Sequence, residues 1–366
     1  MYDDGTFDQL AEIHSSNFRF IHDYPQFLVW HRLFIHDFET RMMSIDSDLT
    51  LPYWDAANDF DAPHEAEVFS SHAFGGNGSP DDNYCLTDGF MAGLKVNYPW
   101  TRCVKRDFQG PHPDTIHSWH SPVFITSLIQ TSSNYDEFRQ TLEHSLHNAI
   151  HFSIGGFNGD FSRSHHHSLF FLHHANIDRI YAKWQFSHPH HLDAIDGRQL
   201  TTSGYETYIT HDYRLVHYNV RAGDLLRTLE EPLCYSYDDI ISDKPKLSNA
   251  VEHRLRLLPK KLLKKYFPKF FAGEESDMNH DFSDMRSLST LSQPLPAPLA
   301  LPKEFFERMG FNVSRGLDVQ KRVLKLRENS KIHNLPQLRG LIKIKVLASI
   351  NENQRITREA KGPSLH

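Results

Sequence analysis

Apolar residues in this chain recur mostly three to five positions apart, not in alternation. Phe27, Leu28, Leu33, Phe34, Phe38 and Met42 form one such stripe, the pattern of a helix with one face on a core. Phe138, Leu142, Leu146, Ala149 and Ile150 form a second, and Leu172, Ala175, Ile177, Ile180, Tyr181 and Trp184 a third. Asp136 stands just before the second stripe, where a short acceptor side chain caps a helix, and Gly155-Gly156 follows as its stop. Stretches rich in Gly, Pro, Asn and Asp, such as 75–82 and 110–114, separate the stripes. The expectation is a mainly α protein with long loops. Segment 303–330 predicts a further helix, and 287–302, rich in Ser, Pro and Leu, reads as a linker.

Charge divides the chain near residue 240. From Asp243 onward there are 24 Lys and Arg against 13 Asp and Glu, a formal +11; the part before carries 15 against 33, a formal −18. All five tryptophans also lie in the first part. We therefore read residues 1–240 as a catalytic domain and 241–366 as a basic C-terminal extension, partly helical and partly linker. The acidic first part argues against nucleic acid as a partner. No run of about 18 apolar residues offers a transmembrane segment. Met1–Gly5 lacks the basic and apolar regions of a secretory signal, so the protein either stays in the cytoplasm or begins downstream of a missing signal. Three cysteines, Cys85, Cys103 and Cys234, are too few for a disulfide scaffold.

The chain holds 26 histidines, and their placement changes the picture. In Leu146–His151, His147 and His151 are four apart, so two imidazoles on one helix face can reach one metal. Such a pair alone also occurs by chance. A zinc protease would need glutamate after the first histidine; Asn148 stands there. A separate apolar helix brings His173-His174, and adjacent helical residues point about 100° apart, so one of the two is expected to be a ligand. A second triplet, His14, His22 and His31, precedes Arg32 and Glu39. Paired iron or manganese sites in helical bundles include carboxylates, whereas sets made only of imidazole favour copper.

These residues resemble the type 3 copper family of tyrosinases, catechol oxidases and molluscan-type haemocyanins, the short fungal tyrosinase-like oxidases in particular. The first motif of that family, H-x7-H-x8-H ending in Phe-Leu-x-Trp-His-Arg, is similar to the region of His14, His22 and His31. The second, H-x3-H with a distant F-x-L-H-H-A-x-I-D-R block, matches His147, His151 and His174, with Tyr235-Ser236-Tyr237 closing the core. The resemblance covers roughly 14–237. It implies an antiparallel helical bundle holding a binuclear site of two copper ions, which uses dioxygen to oxidise a small phenolic substrate to an o-quinone. It makes His174, not His173, the ligand. It further implies that Asn148 and a carboxylate hold a water that takes up the phenol proton. Glu143, one turn before His147, is the candidate, the bland alternative being a surface or capping carboxylate. Phe170 matches an aromatic that covers the metals, or is simply core. Asp178 and Arg32 are expected to orient ligands and helices.

Several features depart from the family. Phe20 replaces a cysteine that forms a thioether to the middle histidine in some members, and His167-Ser168 stands where many have Asp-Pro. Only thirteen residues precede His14, fewer than the family has, so the resemblance implies a missing start and secretion. It also implies a Cys85–Cys103 disulfide. The sequons at Asn77 and Asn312 fit an exported protein. Beyond 240 only 301–310 resembles a fungal tail. The extension is expected to dock on the acidic core, with an apolar residue of 262–271 over the site; a membrane-surface or solvated helix is the plainer reading of 251–271. Against the oxidase stand oxygen carriage without turnover and a degenerate member that binds no copper.

Overall fold

A computed structural model describes residues 1–155, 168–241 and 297–329. The apolar segment 251–271 and the His165–His167 run lie outside the described residues. The expected mainly helical architecture is found. Its helices are α1 (Thr6–Ile21), α2 (Phe27–Ile45), α3 (Pro122–Thr131), α4 (Tyr135–Leu142), α5 (Asn148–Ile154), α6 (Leu169–Ser187), α7 (Asp238–Ile241), α8 (Lys303–Met309) and α9 (Val313–Asn329). Among the described residues, strands are confined to two antiparallel hairpins, β1 (Lys95–Val96) with β2 (Arg102–Cys103), and β3 (Arg198–Leu200) with β4 (Glu206–Tyr208).

Helices α2 and α6 pack together at the centre, with α1 on α2, and with α3 on α6 and α4. The three stripes read from sequence meet there: Phe38 stacks on Phe171 at 3.7 Å between ring centroids and Phe138 on Trp184 at 4.8 Å. Trp30, Phe34, Phe138, Tyr181 and Trp184 are fully buried, each large side chain contributing on the order of 2–3 kcal/mol by leaving water. One charged cluster lies inside this core. Arg32 donates from Nε to Asp178 Oδ1 at 2.6 Å, from Nη1 to the Leu225 and Leu226 carbonyls and from Nη2 to Gln185 Oε1. Tyr235 and Tyr237 donate their hydroxyls to Asp178 Oδ2, both at 2.5 Å. Arg32 and Asp178 thus tie the helix of His31 to the helix of His174, as expected of them.

The stretch 55–121 contains only short 3-10 turns and the β1–β2 hairpin, and side chains help to hold it. Cys85 and Cys103 form the anticipated disulfide, and Cys234 is free. The buried Arg106 guanidinium donates to the carbonyls of Phe74, Gly75 and Gly76.

Three local expectations need correction. The cap of α4 is Asn134, whose side chain accepts from Glu137 N–H; Asp136 lies inside the first turn and pairs with Arg139 at 2.5 Å. The second stripe is not one regular helix, because Glu143–His147 widens into a π-helical turn between α4 and α5. Segment 303–330 is two helices, interrupted at Gly310 with φ 69°. Helix α9 packs on α3, α4 and the π turn, and its Val319 and Val323 sit in the same buried cluster as the bundle. Part of the stretch after residue 240 is therefore in the core that carries the histidines.

Candidate metal centre

Helix α1 carries His14, the turn after it His22, and α2 His31; each is buried. One ring nitrogen from each lies within 4.8 Å of the others. His31 Nδ1 is 2.8 Å from the Phe27 carbonyl and His22 Nδ1 3.2 Å from the Phe18 carbonyl, the i−4 positions. Nδ1 therefore carries the proton in both, and Nε2 keeps its lone pair.

The π turn and α5 supply His147 and His151, and α6 supplies His173 and His174; one nitrogen of each also falls within 4.8 Å of the others. Four imidazoles converge here, not the three of the motif. His151 and His174 turn Nε2 towards each other at 3.1 Å, as His31 and His14 do at 3.3 Å in the first set. The sets adjoin: the rings of His31 and His174 stack at 4.4 Å, and those of His22 and His147 at 5.9 Å. Phe170, buried, lies between them, stacked on His174 at 4.1 Å and 5.2 Å from the ring of His14.

Burial dominates the electrostatics. It pushes the imidazoles of His22, His31, His151 and His174 well below the ordinary histidine value, and neighbouring histidines add to the effect. His147 falls to about 3 through burial, despite the opposing hydrogen bond to Asn148. The centre is thus a set of neutral nitrogen donors. Two lone pairs facing across about 3.3 Å repel unless a proton or a cation lies between them. Metal–imidazole bonds of about 2.0–2.1 Å in a trigonal set would place donors roughly 3.5 Å apart. These residues fit a nitrogen-liking metal such as copper, and no carboxylate belongs to either set.

Glu143 and Asn148 are brought beside the second set. Glu143 is fully buried, so it is not a surface group. Its oxygens accept from Asp23 N–H at 2.6 Å and Arg139 Nη1 at 2.8 Å. Burial raises its pKa, against the lowering pull of Arg139. Asn148 Oδ1 is 2.8 Å from His147 Nδ1, and its Nδ2 is 3.3 Å from His144 Nδ1. Asp23 and His144 were not singled out from the sequence, yet they join at 2.9 Å beside the centre. Asp23 is buried, which raises its pKa, but the hydrogen bond to His144, the His144 charge and then the Arg315 charge outweigh this and leave it at about 2. Only its place directly after His22 could have pointed to Asp23.

Residues 4–187 match the family described as the common central domain of tyrosinase. The tyrosinase of Streptomyces antibioticus is 30% identical over 182 residues, covering 46% of this chain and 65% of that protein. Grixazone synthase of Streptomyces griseus is 30% identical over 218 residues, covering 48% and 70%. Hemocyanin 2 of Megathura crenulata is 30% identical over 175 residues, covering 45% and 5%. The chain spans about 65% of the length of the Streptomyces tyrosinases it matches. A solved polyphenol oxidase mutant of Thermothelomyces thermophila shares the fold at TM-score 0.50 and 22% identity, over 63% of this chain and 77% of that one. With half of its length inside the family's central domain, the chain belongs to the tyrosinase family of type 3 copper proteins.

Proposed function

We propose that this protein oxidises phenols or o-diphenols to o-quinones with dioxygen, using two copper ions. His14, His22 and His31 hold one ion, and His147, His151 and His174 the other. The observation that carries the reading is the adjacency of two buried all-imidazole clusters with ring nitrogens turned inward. His174 is preferred to His173 because its Nε2 faces His151 Nε2. Copper, when bound, supplies the redox capacity that couples reduction of dioxygen to withdrawal of electrons from the phenol. Everything else falls to the chain. Arg32, Asp178 and the two tyrosine hydroxyls hold α2 and α6 in register, so His31 and His174 keep their separation. Phe170 covers the space between the sets and excludes water from it.

A phenol must lose a proton whose ordinary pKa is about 10, which calls for a base. Glu143 and Asn148 are the groups we assign to steadying the water that receives it. Each carboxylate oxygen of Glu143 retains a lone pair beyond its bond to Asp23 or Arg139, and burial makes the group more basic. The Cys85–Cys103 disulfide supports export to an oxidising compartment.

The similarity to hemocyanin 2 favours oxygen carriage as the second reading. Catechol turnover separates the two. Copper-loaded protein is expected to consume oxygen and accumulate quinone through many cycles, one O2 reduced to two waters per two catechols. Loss of activity in His31→Ala and in His151→Ala should accompany it. Loading without turnover would sink the oxidase reading, and failure to load would favour a copper-free member.

A further inference from the structure

We propose that Trp30 and Tyr218 form an exit route for oxidising equivalents, carrying single electrons from the protein surface to the metal centre when no phenol is in place to supply them. The route rests on the reading of the two histidine sets as a copper centre that works with dioxygen. Between ring centroids, the fully buried Trp30 lies 5.0 Å from His31 and 5.9 Å from His14. Tyr218, half-buried, follows at 5.8 Å from Trp30, beside the exposed His217. Its hydroxyl donates to Asp37 Oδ2 at 3.0 Å, and Asp37 Oδ1 also holds Arg41 Nε at 2.8 Å.

The order of the rings matches the chemistry. Phe27, Phe34 and Phe170 also touch the ligand histidines, but a benzene ring gives up an electron far less readily than an indole or a phenol. Trp30 donates Nε1–H to the Val216 carbonyl at 3.0 Å, an acceptor too weakly basic to take the proton. Oxidised Trp30 therefore stays a cation, keeps its oxidising power and passes it on. Tyr218 differs, because loss of an electron makes its phenol strongly acidic and Asp37 stands within proton-transfer reach. Burial foremost, and then the Asp37 charge, raises the resting Tyr218 phenol above the ordinary tyrosine value, so its proton leaves only when an electron does.

In each passage one electron leaves Trp30 for the reduction of dioxygen at the centre, and Tyr218 replaces it. The Tyr218 proton moves to Asp37 Oδ2, leaving a neutral phenoxyl radical near the surface. A phenol or ascorbate in solution then returns one electron, becoming a radical itself and releasing its own proton to water, while the Asp37 proton goes back to Tyr218. The chain ends unchanged, and His14 and His31 are spared the oxidation that a stranded oxidant would cause. Catechol turnover itself does not use the route, because the bound phenol supplies the electrons directly.

The test gives the full copper-loaded chain hydrogen peroxide without phenol and freezes it for electron paramagnetic resonance. A tyrosyl radical is expected, identified by its change on labelling with ring-deuterated tyrosine. It should be lost in Tyr218→Phe and reduced in Asp37→Asn, which keeps a hydrogen-bond acceptor but removes the base. Tyr218→Phe should leave the initial catechol rate unchanged, yet lower the number of turnovers before inactivation and raise oxygen insertion at Trp30, His14 and His31 in peptide mass spectra. No radical in the wild type overturns the route, as does the same radical and the same peptide oxidation in Tyr218→Phe. A wild type that loads no copper would defeat the functional reading instead, and the copper-free chain then decides this one. Laser photoionisation there makes indole radicals, and part of their conversion to phenoxyl radical should vanish in Trp30→Phe and in Tyr218→Phe. Undiminished conversion in either variant overturns the route.

Discussion

Replacing Asp178 by asparagine keeps the shape of the side chain and removes one buried charge. Its partner Arg32 is fully buried, and the Asp178 side chain is only 3% exposed. The asparagine amide cannot satisfy what the carboxylate does. With its oxygen towards Tyr235 and Tyr237, its NH2 opposes Arg32 Nε–H; turned over, it presents donors to two hydroxyls that now donate. Either way a guanidinium stays buried without its counter-charge, a defect that typically costs about 3–5 kcal/mol. Asp239→Asn is the control. Asp239 pairs with Arg179 and Lys183, but it is 22% exposed and Arg179 keeps Asp55 at 3.0 Å. The loss there should be about 1 kcal/mol or less. Urea unfolding of the copper-free proteins measures both, since bound metal would add stability by mass action. Arg32→Met combined with Asp178→Leu should fall less far than Asp178→Asn, because no charge is left stranded. A loss below about 1 kcal/mol for Asp178→Asn, or equal losses for Asp178 and Asp239, would refute this account of how the two histidine-bearing helices are tied.

Two further predictions concern single positions. His120 is buried, and burial alone holds its imidazole down at about 3. The unfolded chain takes up that proton near the ordinary value of about 6.5, so the stability from a neutral His120 is complete above that pH and erodes as pH falls towards 3. His120→Leu should flatten the acid side of the stability–pH curve of the copper-free protein; parallel curves would contradict this. Gly316 lies in α9, where alanine would ordinarily gain about 1 kcal/mol in helix propensity. A Cβ there would meet the buried Phe306 ring at 2.3 Å, and overpacking of that kind costs about 1–3 kcal/mol. Gly316→Ala should therefore lower the urea midpoint, and a raised midpoint would show that α8 yields freely.

What could be read in advance was what is local. The stripes of α2, of 138–150 and of α6 are periodic because each helix buries one face, and His147 and His151 could be paired from spacing alone. Helix α1 escaped notice although Phe7, Leu10, Ala11 and Ile13 are buried, because polar residues break its stripe. Asp136 and Asn134 are both short acceptors, and the choice fell to tertiary contact: Tyr135 is buried, with its hydroxyl on the Pro25 carbonyl, which sets where α4 begins. His147 sits in a π turn that no periodicity announces, and the convergence of both His173 and His174 on it is tertiary. Asp23, Glu143 and Arg315 meet across 120 and 292 residues, distances at which a sequence carries no geometric signal.

The most direct test of the copper centre is to load the purified chain, count metal per polypeptide, and follow the near-UV spectrum on adding hydrogen peroxide. Two coppers per chain and an intense new charge-transfer band are expected, with His31→Ala and His151→Ala each losing a copper and the band. One copper or none in the wild type, with no band, would contradict that expectation.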